Sequence, residues 1–422
     1  MEKTNIIVSC PIDTYSGYGA RSRDVVKSLL ALGTYDVKVL PQRWGITSHG
    51  YLKDHNETEL QETLITKFDT QPDIWIQITV PNEFRPYGKY NIGITAGIET
   101  NTASHTWIEG CNRMDLILTS SNHSKAVFEN SIFEKEDKSG AKLGKLSLIK
   151  PVEVLFEGAD LTKYFKTKSE LNLDTVKESF CFLFVGHWLQ GSVGHDRKNI
   201  GFMIKSFLET FKNKQQQPAL ILKTSLGTSS ILNQNRVLSK IEEIRKTVNG
   251  KLPNIYLIDG DLTDKDMNDL YNHSKVKAMV SFTKGEGFGR PLLEFALTGK
   301  PIIASGWSGH VDFLDKELAL LIGGKLEEID SSAISKDVLI PGSMWFTPNE
   351  VEATRAFKEI YKSYKKYVEN AKKLSYRCKQ NFSLEAMQLR LKEIFDKTVP
   401  EFPKQAELDL SKIKLPEIKL PE

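Results

Sequence analysis

The sequence has few of the features that mark a secreted, zinc-binding or membrane-spanning protein. Its 422 residues include four cysteines, which lie far apart and form no Cys-x-x-Cys pair: Cys10, Cys111, Cys181 and Cys378. Neither a disulfide framework nor a zinc site is therefore expected, and a reducing compartment fits. No apolar run approaches the roughly 20 residues that span a bilayer, and "MEKT" before the first apolar run is too short for a signal peptide. We expect a cytoplasmic protein without membrane insertion.

An excess of charge of one sign is also missing. The 57 Lys and Arg residues nearly balance the 54 Asp and Glu residues, so the net charge is +3. This balance excludes a strongly basic coat or tail, although a local basic groove could still bind phosphates. The hydrophobic fraction of 40% and the charged fraction of 26% are typical of a soluble globular protein.

Short apolar runs alternate with helical patterns along most of the chain, which is typical of an α/β protein with doubly wound parallel sheets. The predicted strands fall into two sets of six: 5–10, 36–42, 73–80, 90–99, 115–121 and 152–158, then 180–187, 219–225, 255–259, 277–282, 301–305 and 319–324. A polar stretch at 161–179 separates the two sets. We predict two domains facing a cleft, at 1–165 and 166–350, then helices at 351–403 and a polar tail at 404–422.

The segment "KGEGFGRPLLEFALTGKPIIAS" at 284–305 places a carboxylate on each side of a Gly-Phe-Gly turn. Glu286 precedes the turn, and Glu294 follows it in a predicted helix whose first turn suits Pro291. Because ligands of open α/β sheets bind at the C-terminal ends of strands, this loop should open on the cleft. Free N–H groups at the helix start favour an anion, and carboxylates favour polyol hydroxyls. Ribose, diphosphate and sugar follow one another in this way in a nucleotide sugar.

The residues of this segment resemble a known family. "EGFGRPLLEFALTGKPIIAS" is similar to the Glu-x7-Glu signature of the retaining GT-B-fold glycosyltransferases of group 1, also called family 4. Further stretches resemble the same family: "SGYGARSRDVVKSLLALGTYDVKVL" (16–40), "MDLILTSSNHSKAVF" (114–128), "VEVLFEGADLTKYF" (152–165) and "FVGHWLQGSVGHDRKNIGFMIKSF" (184–207). The resemblance implies two Rossmann-like domains, a nucleotide-sugar donor and neither metal nor cofactor.

The resemblance also implies a role for each matching residue. Glu294 would hold the ribose hydroxyls, and Glu286 with the turn backbone would hold the transferred sugar. Arg197 and Lys198 fit the family's Arg-Lys-Asn pattern and would clamp the diphosphate, with Lys223 as a further cation. The residues expected to bind the donor are Gly17, Gly19, Arg197, Lys198, Lys223, Gly287, Phe288, Gly289, Arg290, Pro291 and Glu294.

Glu157 and Ala159 are substitutions in a stretch that ends in Asn-Gly-Val-Asp in the family, and two candidate site positions also depart from the family's pattern. His187 stands where many relatives have an arginine after the Val-Gly of the clamp strand, so it is a further candidate for the diphosphate site. Glu99 stands at a strand end where relatives often have a catalytic histidine. We expect Glu286 and Glu99 to be the catalytic carboxylates. If Glu99 were instead a nucleophile that forms a covalent sugar adduct, the two-carboxylate mechanism of glycosidases would apply.

Two other motifs indicate less than they first suggest. "SGYGARS" at 16–22 lacks the third glycine of the dinucleotide fingerprint, and no acidic residue ends the second strand, so a nicotinamide cofactor is not expected. "DGD" at 259–261 imitates an Asp-x-Asp metal motif, but it precedes an acidic helix start, so helix capping explains it better. We expect no metal.

The acceptor is predicted from a narrower resemblance. "NIIVSCPIDTYSGYGARSRDVVKSLL" with "VKVLPQRWG" is similar to glycosyltransferases of T-even-like bacteriophages, some of which attach glucose or a pentose such as arabinose to 5-hydroxymethylcytosine in DNA. The lysine-rich segment 133–150 and the predicted helix 361–379 could each follow a phosphate backbone or be ordinary solvated faces. The alternatives are a lipopolysaccharide or other glycan as acceptor, a nucleotide-sugar epimerase, and a donor-binding protein without turnover.

Overall fold

The computed structural model describes residues 3–402 apart from 138, 189–190, 192–193 and 228–229. The first half contains, in chain order, β1 (Thr4–Cys10), α1 (Gly17–Leu32), β2 (Tyr35–Pro41), α2 (Tyr51–Asp54), α3 (Thr58–Glu62), β3 (Ile74–Ile78), β4 (Tyr90–Ile94), α4 (His105–Cys111), β5 (Leu116–Thr119), α5 (Asn122–Asn130), β6 (Phe133–Glu136), β7 (Lys142–Leu146) and β8 (Val152–Val154).

The second half continues with β9 (Cys181–Val185), α6 (Ile200–Phe211), β10 (Ala219–Lys223), α7 (Ile231–Lys246), β11 (Ile255–Ile258), α8 (Asp264–Asn272), β12 (Val276–Ser281), α9 (Arg290–Ala296), β13 (Ile302–Ser305), β14 (Leu320–Ile322), β15 (Gly324–Glu328), β16 (Met344–Pro348), α10 (Glu350–Lys362), α11 (Tyr364–Asn381) and α12 (Leu384–Thr398). None of the helices within the described ranges is long and apolar enough to cross a bilayer.

Each half contains one six-stranded parallel sheet, which confirms the predicted α/β class. The first sheet has the order β2-β1-β3-β4-β5-β8 and the second the order β11-β10-β9-β12-β13-β14. Every predicted strand is present, with limits shifted by a few residues. The second order is that of the dinucleotide-binding fold, whose strand order reverses between β9 and β12.

Continuous apolar strands explain why both sheets are covered by helices on both faces. Every residue of β3 is buried, as are the first four of β9 and of β10. In the first sheet, Ile6 and Ile76 pack into one apolar cluster and Ile7 and Trp75 into another. Strands buried on both faces are typical of parallel sheets, which is why apolar runs predicted them well.

Two antiparallel hairpins were not predicted. β6 pairs with β7, and β15 pairs with β16. The β6–β7 hairpin lies in the lysine-rich segment, and its second strand "KLGKL" is exposed at four of its five residues. An exposed, charged strand such as β7 has no apolar run, so the pattern that predicted the parallel strands does not appear in it.

The C-terminal helices return the chain to the first half. α10 and α11 pack on the second half, and the predicted helix over 361–379 is divided between them at Ser363. α12 packs on α1 and on the first sheet through Met387, Leu391, Ile394 and Phe395. The domain limits drawn from the sequence stay predictions. The tail at 404–422 and Lys138 lie outside the described residues.

Candidate active site

The loops that follow β9 and β12 meet at the C-terminal edge of the second sheet. These strands are neighbours at the point where the strand order reverses, which is where open α/β sheets bind ligands. Glu286 lies in the loop after β12, and Arg197 and Lys198 lie between β9 and α6, immediately before the helix. The topology thus brings together three residues that the sequence analysis assigned to one site.

Glu286 is the centre of a buried cluster of charges. Only 6% of the residue is exposed, and its carboxylate accepts from Lys198 Nζ at 2.5 Å and from Arg197 Nη1 at 3.3 Å. Arg197 Nη1 also donates to the Gly285 carbonyl at 2.9 Å and lies 3.6 Å from Glu99 Oε1. Glu99 follows β4 of the first half, so this cluster contains groups from both sides of the cleft.

The charges of this cluster stabilise one another. Although burial alone would raise it, Lys198 and Arg197 lower the pKa of Glu286 to about 2. Burial lowers the pKa of Lys198, and Glu286 only partly offsets that effect. Burial also acts against the charge of Arg197, but Glu99 and Glu286 outweigh it and raise the pKa of Arg197. Glu286 is therefore ionised at neutral pH.

The segment after β13 supports the Glu286 loop and was missed by the sequence analysis. The Glu286 N–H donates to Ser308 Oγ at 2.9 Å, and the Gly309 N–H donates to the Glu286 carbonyl at 2.9 Å. His310 is fully buried, with Nε2 2.6 Å from the Ser305 carbonyl. The only sequence signal was the Ser-Gly turn in "SGWSGH", which does not show what the turn contacts.

Glu294 lies in α9 and belongs to a second buried cluster. Arg290 Nε donates to Glu294 Oε1 at 2.9 Å, and the Tyr271 hydroxyl donates to Glu294 Oε2 at 3.2 Å. The Arg290 guanidinium also forms an ion pair with Asp24 of α1 and lies 4.0 Å from Glu157. Arg290 therefore connects the carboxylate of the second half to the first half.

Burial dominates the electrostatics of this second cluster. It raises the pKa of Glu294 to about 7, because Arg290 and Tyr271 offset only part of the desolvation. Burial likewise raises the pKa of Glu157, and the charges of Arg21 and Arg290 offset part of this increase. The two carboxylates that flank the turn thus differ: Glu286 is fully ionised at neutral pH, whereas Glu294 titrates near it. Divergent pKa values of this kind are typical of functional sites.

The Gly-Phe-Gly turn has the predicted local geometry. Gly289 is the N-cap of α9 with a left-handed φ of 98°, and Pro291 lies in the first turn. A Cβ on Gly287 would lie 2.0 Å from the Ala96 carbonyl oxygen of the first half. Glycine is therefore required at position 287 because the two halves pack closely there. The Phe288 side chain is buried in the core, so only its backbone borders the turn.

Further contacts join the two halves along this edge. Ser120 Oγ donates to the Ala96 carbonyl at 2.6 Å and contacts the Gly287 carbonyl at 3.0 Å. The Asn122 N–H donates to Asp312 Oδ2 at 2.8 Å. The loops that carry the candidate residues are therefore in direct contact, and the cleft is closed at this point.

His187 and Lys223 lie at strand ends of the same edge but have other partners. His187 Nδ1 lies 3.0 Å from Ser225 Oγ, and burial lowers the pKa of His187, so the ring is uncharged at neutral pH. Lys223 Nζ donates to the Gly260 carbonyl at 2.6 Å, and burial lowers its pKa. Lys223 is thus held by the loop after β11.

The two glycines at the start of α1 have different surroundings. Ser16 caps the helix by accepting from the Gly19 N–H at 2.9 Å, and a Cβ on Gly19 would lie 2.3 Å from the Thr14 carbonyl oxygen. A Cβ on Gly17 would have no neighbour within 4 Å. Gly19 is required by the turn itself, and only Gly17 borders open space.

The acidic run at 259–266 is part of a helix start. Thr263, rather than an aspartate of the "DGD" triplet, caps α8 by accepting from the Asp266 N–H, and Asp264 forms an ion pair with Lys163 at 2.7 Å. Within the part of the chain that the structure describes, no group of three or more His, Cys, Asp or Glu side chains is placed to hold a metal ion.

Comparison with known proteins identifies the fold. No protein-family model and no curated protein matches the sequence. Sucrose-phosphate synthase from Thermosynechococcus elongatus has a TM-score of 0.62 at 12% identity, covering 94% of this chain and 99% of that one. Anabaena HepE in complex with UDP and glucose has a TM-score of 0.61 at 13% identity, covering 93% and 100%. A Rickettsia africae glycosyltransferase has a TM-score of 0.59 at 14% identity, covering 94% and 99%.

These likenesses extend over nearly the whole chain, and they agree with two facing parallel sheets whose strand ends meet at the Glu286 loop and the start of α9. The protein therefore has the GT-B fold of glycosyltransferases.

Proposed function

We propose that the protein is a retaining, metal-independent glycosyltransferase that takes glucose, or a pentose such as arabinose, from a UDP-sugar. One observation carries the proposal: two buried carboxylates, Glu286 and Glu294, flank a single turn at the switch point of the second sheet, and a partly buried cation is paired with each. Anabaena HepE, which has the same fold, forms a complex with UDP-glucose, and this supports UDP as the nucleotide.

In this proposal Glu294 binds the ribose, Arg197 and Lys198 bind the diphosphate, and Glu286 binds the transferred sugar. Lys198 and Arg197 already contact Glu286, so they can turn to the diphosphate while they still border the sugar subsite. Glu286 then exchanges part of its cation contacts for hydrogen bonds from sugar hydroxyls. Because Lys198 and Arg197 stay beside it and hold its pKa low, Glu286 remains an acceptor.

The chemical step needs positive charge next to the leaving group. When the bond between sugar C1 and the phosphate oxygen breaks, the sugar ring gains positive charge and the departing UDP gains negative charge. A preorganised donor at such a position is typically worth about 3 to 4 kcal/mol. α9 has seven residues, so we assign most of this stabilisation to Lys198 and Arg197 and less to the helix dipole.

Retention of configuration follows if the acceptor attacks from the face that UDP leaves. The acceptor oxygen then forms its bond to C1 on that face, and the departing phosphate oxygen takes the acceptor proton. No side-chain base is needed in this scheme. Glu99 lies 3.6 Å from Arg197, so we assign it the role of orienting that guanidinium from the acceptor side.

We propose 5-hydroxymethylcytosine in phage DNA as the acceptor, within the cytoplasm of an infected bacterium. The resemblance to phage enzymes leads to this proposal, and the β6–β7 hairpin supports it. The hairpin presents exposed Lys135, Lys142 and Lys145, although Lys142 is paired with Glu134 at 3.2 Å. Helix α11 gives less support, because its Tyr364 packs on Phe180 of the core.

An aromatic pair lies near the cleft on the acceptor side. Tyr18 and Trp44 stack with their ring centroids 4.0 Å apart, and the Tyr18 hydroxyl accepts from the Ala96 N–H at 3.2 Å. Ala96 is the residue that contacts Gly287, so this pair is close to the turn. A base turned out of a duplex needs such a planar surface, and turning it out costs a few kcal/mol.

Nucleoside analysis tests the acceptor. The protein is incubated with UDP-glucose or UDP-arabinose and with duplex DNA that contains cytosine or hydroxymethylcytosine, and the digested nucleosides are weighed by mass spectrometry. We expect a mass increase of one sugar on hydroxymethylcytosine only. A preparation that transfers its sugar to a glycan and leaves hydroxymethylcytosine unmodified would exclude the DNA acceptor.

A further inference from the structure

Arg290 holds acidic side chains of both halves at once. Its Nε binds Glu294 of its own helix at 2.9 Å, and its guanidinium forms an ion pair with Asp24 of α1. Asp24 and Glu294 are 7% and 6% exposed. A planar guanidinium with donors on different edges suits this bridging geometry, because one rigid group fixes both carboxylates relative to each other.

We propose that Arg290 is a positioning residue that sets Glu294 for the nucleotide ribose only when Asp24 of the opposite half is in contact with it. This inference rests on the proposed function, in which Glu294 is the ribose carboxylate. It adds a coupling between closure of the cleft and formation of the nucleotide site, carried by Arg290.

The hydrogen bonds of Glu294 leave the acceptors that a ribose requires. Arg290 occupies one acceptor position on Oε1, and the Tyr271 hydroxyl occupies one on Oε2. Each carboxylate oxygen accepts about two hydrogen bonds, so each retains one position. Two adjacent ribose hydroxyls can donate to these two positions. The directions of the remaining lone pairs are set by Arg290 and Tyr271, so the partners determine where the ribose can bind.

The charges around Glu294 also indicate that Arg290 positions it. The groups that face Glu294 are Arg290 on α9, Tyr271 and Asp264 on α8 and Tyr164 after β8, with Asp24 and Glu157 beside Arg290. Arg290 is the cation that contacts Glu294 itself, whereas Lys163 pairs with Asp264 at 2.7 Å and Arg21 and Arg23 act on Asp24. The pKa of Glu294 is about 7 with Arg290 present, so removal of that charge would raise it further.

The test is the pH dependence of UDP-glucose binding to the full chain, measured by calorimetry from about pH 5 to about pH 8.5. UDP-glucose is the probe because it lacks the terminal phosphate that titrates near 6 in UDP. Ribose hydroxyls donate to the ionised carboxylate, so wild-type affinity should fall as the pH falls through about 7. Glu294→Gln should abolish this dependence.

Variants of Arg290 and Tyr271 test whether these residues position Glu294 or only stabilise the fold. Arg290→Gln should weaken binding at high pH by about tenfold or more and move the fall in affinity to higher pH. Arg290→Lys should keep the fall near its wild-type position, because it keeps the charge. Tyr271→Phe removes one hydroxyl with little change of shape, and should shift the profile in the same direction by less, even if Arg290→Gln fails to fold.

Asp24→Asn tests the link across the cleft. Asp24 and Glu294 share Arg290 as a partner, so the Asp24→Asn and Glu294→Gln losses should be far from additive in the double variant. Additive losses, or an unshifted profile in both Arg290→Gln and Tyr271→Phe, would overturn the inference while the proposed function stands. A folded wild type that does not bind UDP-glucose at any pH would overturn both.

Discussion

At the scale of single residues, Glu286 and Glu294 show how surroundings divide two identical side chains between different tasks. Glu286 lies between two cations and stays ionised, which suits a permanent acceptor beside a developing positive charge. Glu294 has one cation, shared with Asp24, and titrates near neutral pH. The cations beside Glu286 are those proposed to bind the diphosphate. Substitution of Glu286 and substitution of Glu294 should therefore affect nucleotide binding differently.

Glu294→Ala should weaken binding of UDP and of the UDP-sugar alike, because both contain the ribose. Glu286→Ala should leave UDP binding nearly intact and reduce transfer, since it releases Lys198 and Arg197 to the diphosphate. Titration calorimetry with UDP on both variants measures this. Equal losses of UDP affinity would contradict the division of roles.

Glu294 should also make the fold less stable as the pH rises. Its pKa is raised from 4.5 to about 7 in the folded protein, so its stabilising contribution is complete below 4.5 and is lost as the pH rises through 7. The shift corresponds to about 3 kcal/mol of unfolding free energy. We measure denaturant unfolding of wild type and Glu294→Gln at about pH 5 and about pH 8. From the lower to the higher pH, the unfolding free energy of Glu294→Gln should rise relative to that of wild type by a large part of the roughly 3 kcal/mol, that is, by about 2 kcal/mol or more.

Glu286→Gln is the matched control for this measurement. In the wild type the pKa of Glu286 is lowered to about 2, so the contribution of this carboxylate to stability is complete above pH 4.5 and is lost only as the pH falls toward 2. Its stability difference from wild type should therefore stay nearly constant between those two pH values. A constant difference for Glu294→Gln as well would show that Glu294 does not titrate in this range.

The sequence predicted the site residues that lie in one motif and missed their distant partners. The spacing of Glu286, Glu294 and the turn is local, so it is visible in a single segment. Asp24 and Tyr271 reach Glu294 through the meeting of separate chain segments, and nothing in their neighbours along the sequence shows that meeting. Burial of Glu294 has the same origin, so its raised pKa was also outside what the sequence could predict.

At the scale of elements, apolar runs predicted the parallel strands because the central strands of each sheet, such as β3, β9 and β10, are buried on both faces. The same reasoning fails for the β6–β7 hairpin, whose second strand is exposed at four of five residues, and for α12, whose amphipathic pattern does not show which sheet it will cover. Placement of α12 on the first sheet depends on the backbone bonds between Ala159 and the segment 382–384, which join positions more than 200 residues apart.

Gly287 provides a test of contact between the halves. Gly287→Ala places a Cβ 2.0 Å from the backbone oxygen of Ala96, which cannot move aside, so the halves should be displaced from each other. Small-angle scattering should report a larger radius of gyration, and transfer should fall. Gly17→Ala, with no neighbour within 4 Å, is the control and should leave the scattering unchanged. Unchanged scattering for Gly287→Ala would exclude a closed cleft in solution.

The β6–β7 hairpin provides a test of the DNA proposal. Lys142→Glu with Lys145→Glu should weaken binding to duplex DNA and reduce the dependence of the affinity on salt, because each lost phosphate contact removes about one unit of salt slope. Lys246→Glu with Lys251→Glu makes the same change of charge on an exposed surface of the second half. Fluorescence anisotropy across a salt series compares the pairs, and equal effects would mean that net charge alone controls binding.

At the scale of the whole molecule, the fold explains why the site forms between two halves that each have a complete core. Each sheet has its own apolar clusters. The contacts across the cleft include several polar ones, such as Arg290 with Asp24, Ser120 with Gly287 and Asn122 with Asp312, beside the ring contact of His123 with Trp307. Interfaces with such polar contacts favour relative motion of the two halves. Under the proposed function we expect the halves to separate to admit a nucleotide sugar and to close again around it, with Arg290 in contact with Asp24 in the closed arrangement.

The central claim is that this cleft transfers a sugar from a UDP-sugar, and the most direct test follows the donor itself by phosphorus and proton NMR. UDP-glucose and UDP-arabinose are each incubated with the protein in EDTA, with and without DNA that contains hydroxymethylcytosine. We expect release of free UDP, slow without DNA and fast with it, and a product with the anomeric configuration of the donor. An intact UDP-sugar whose sugar has been epimerised, or a donor that remains unchanged with DNA and glycan acceptors alike, would contradict it.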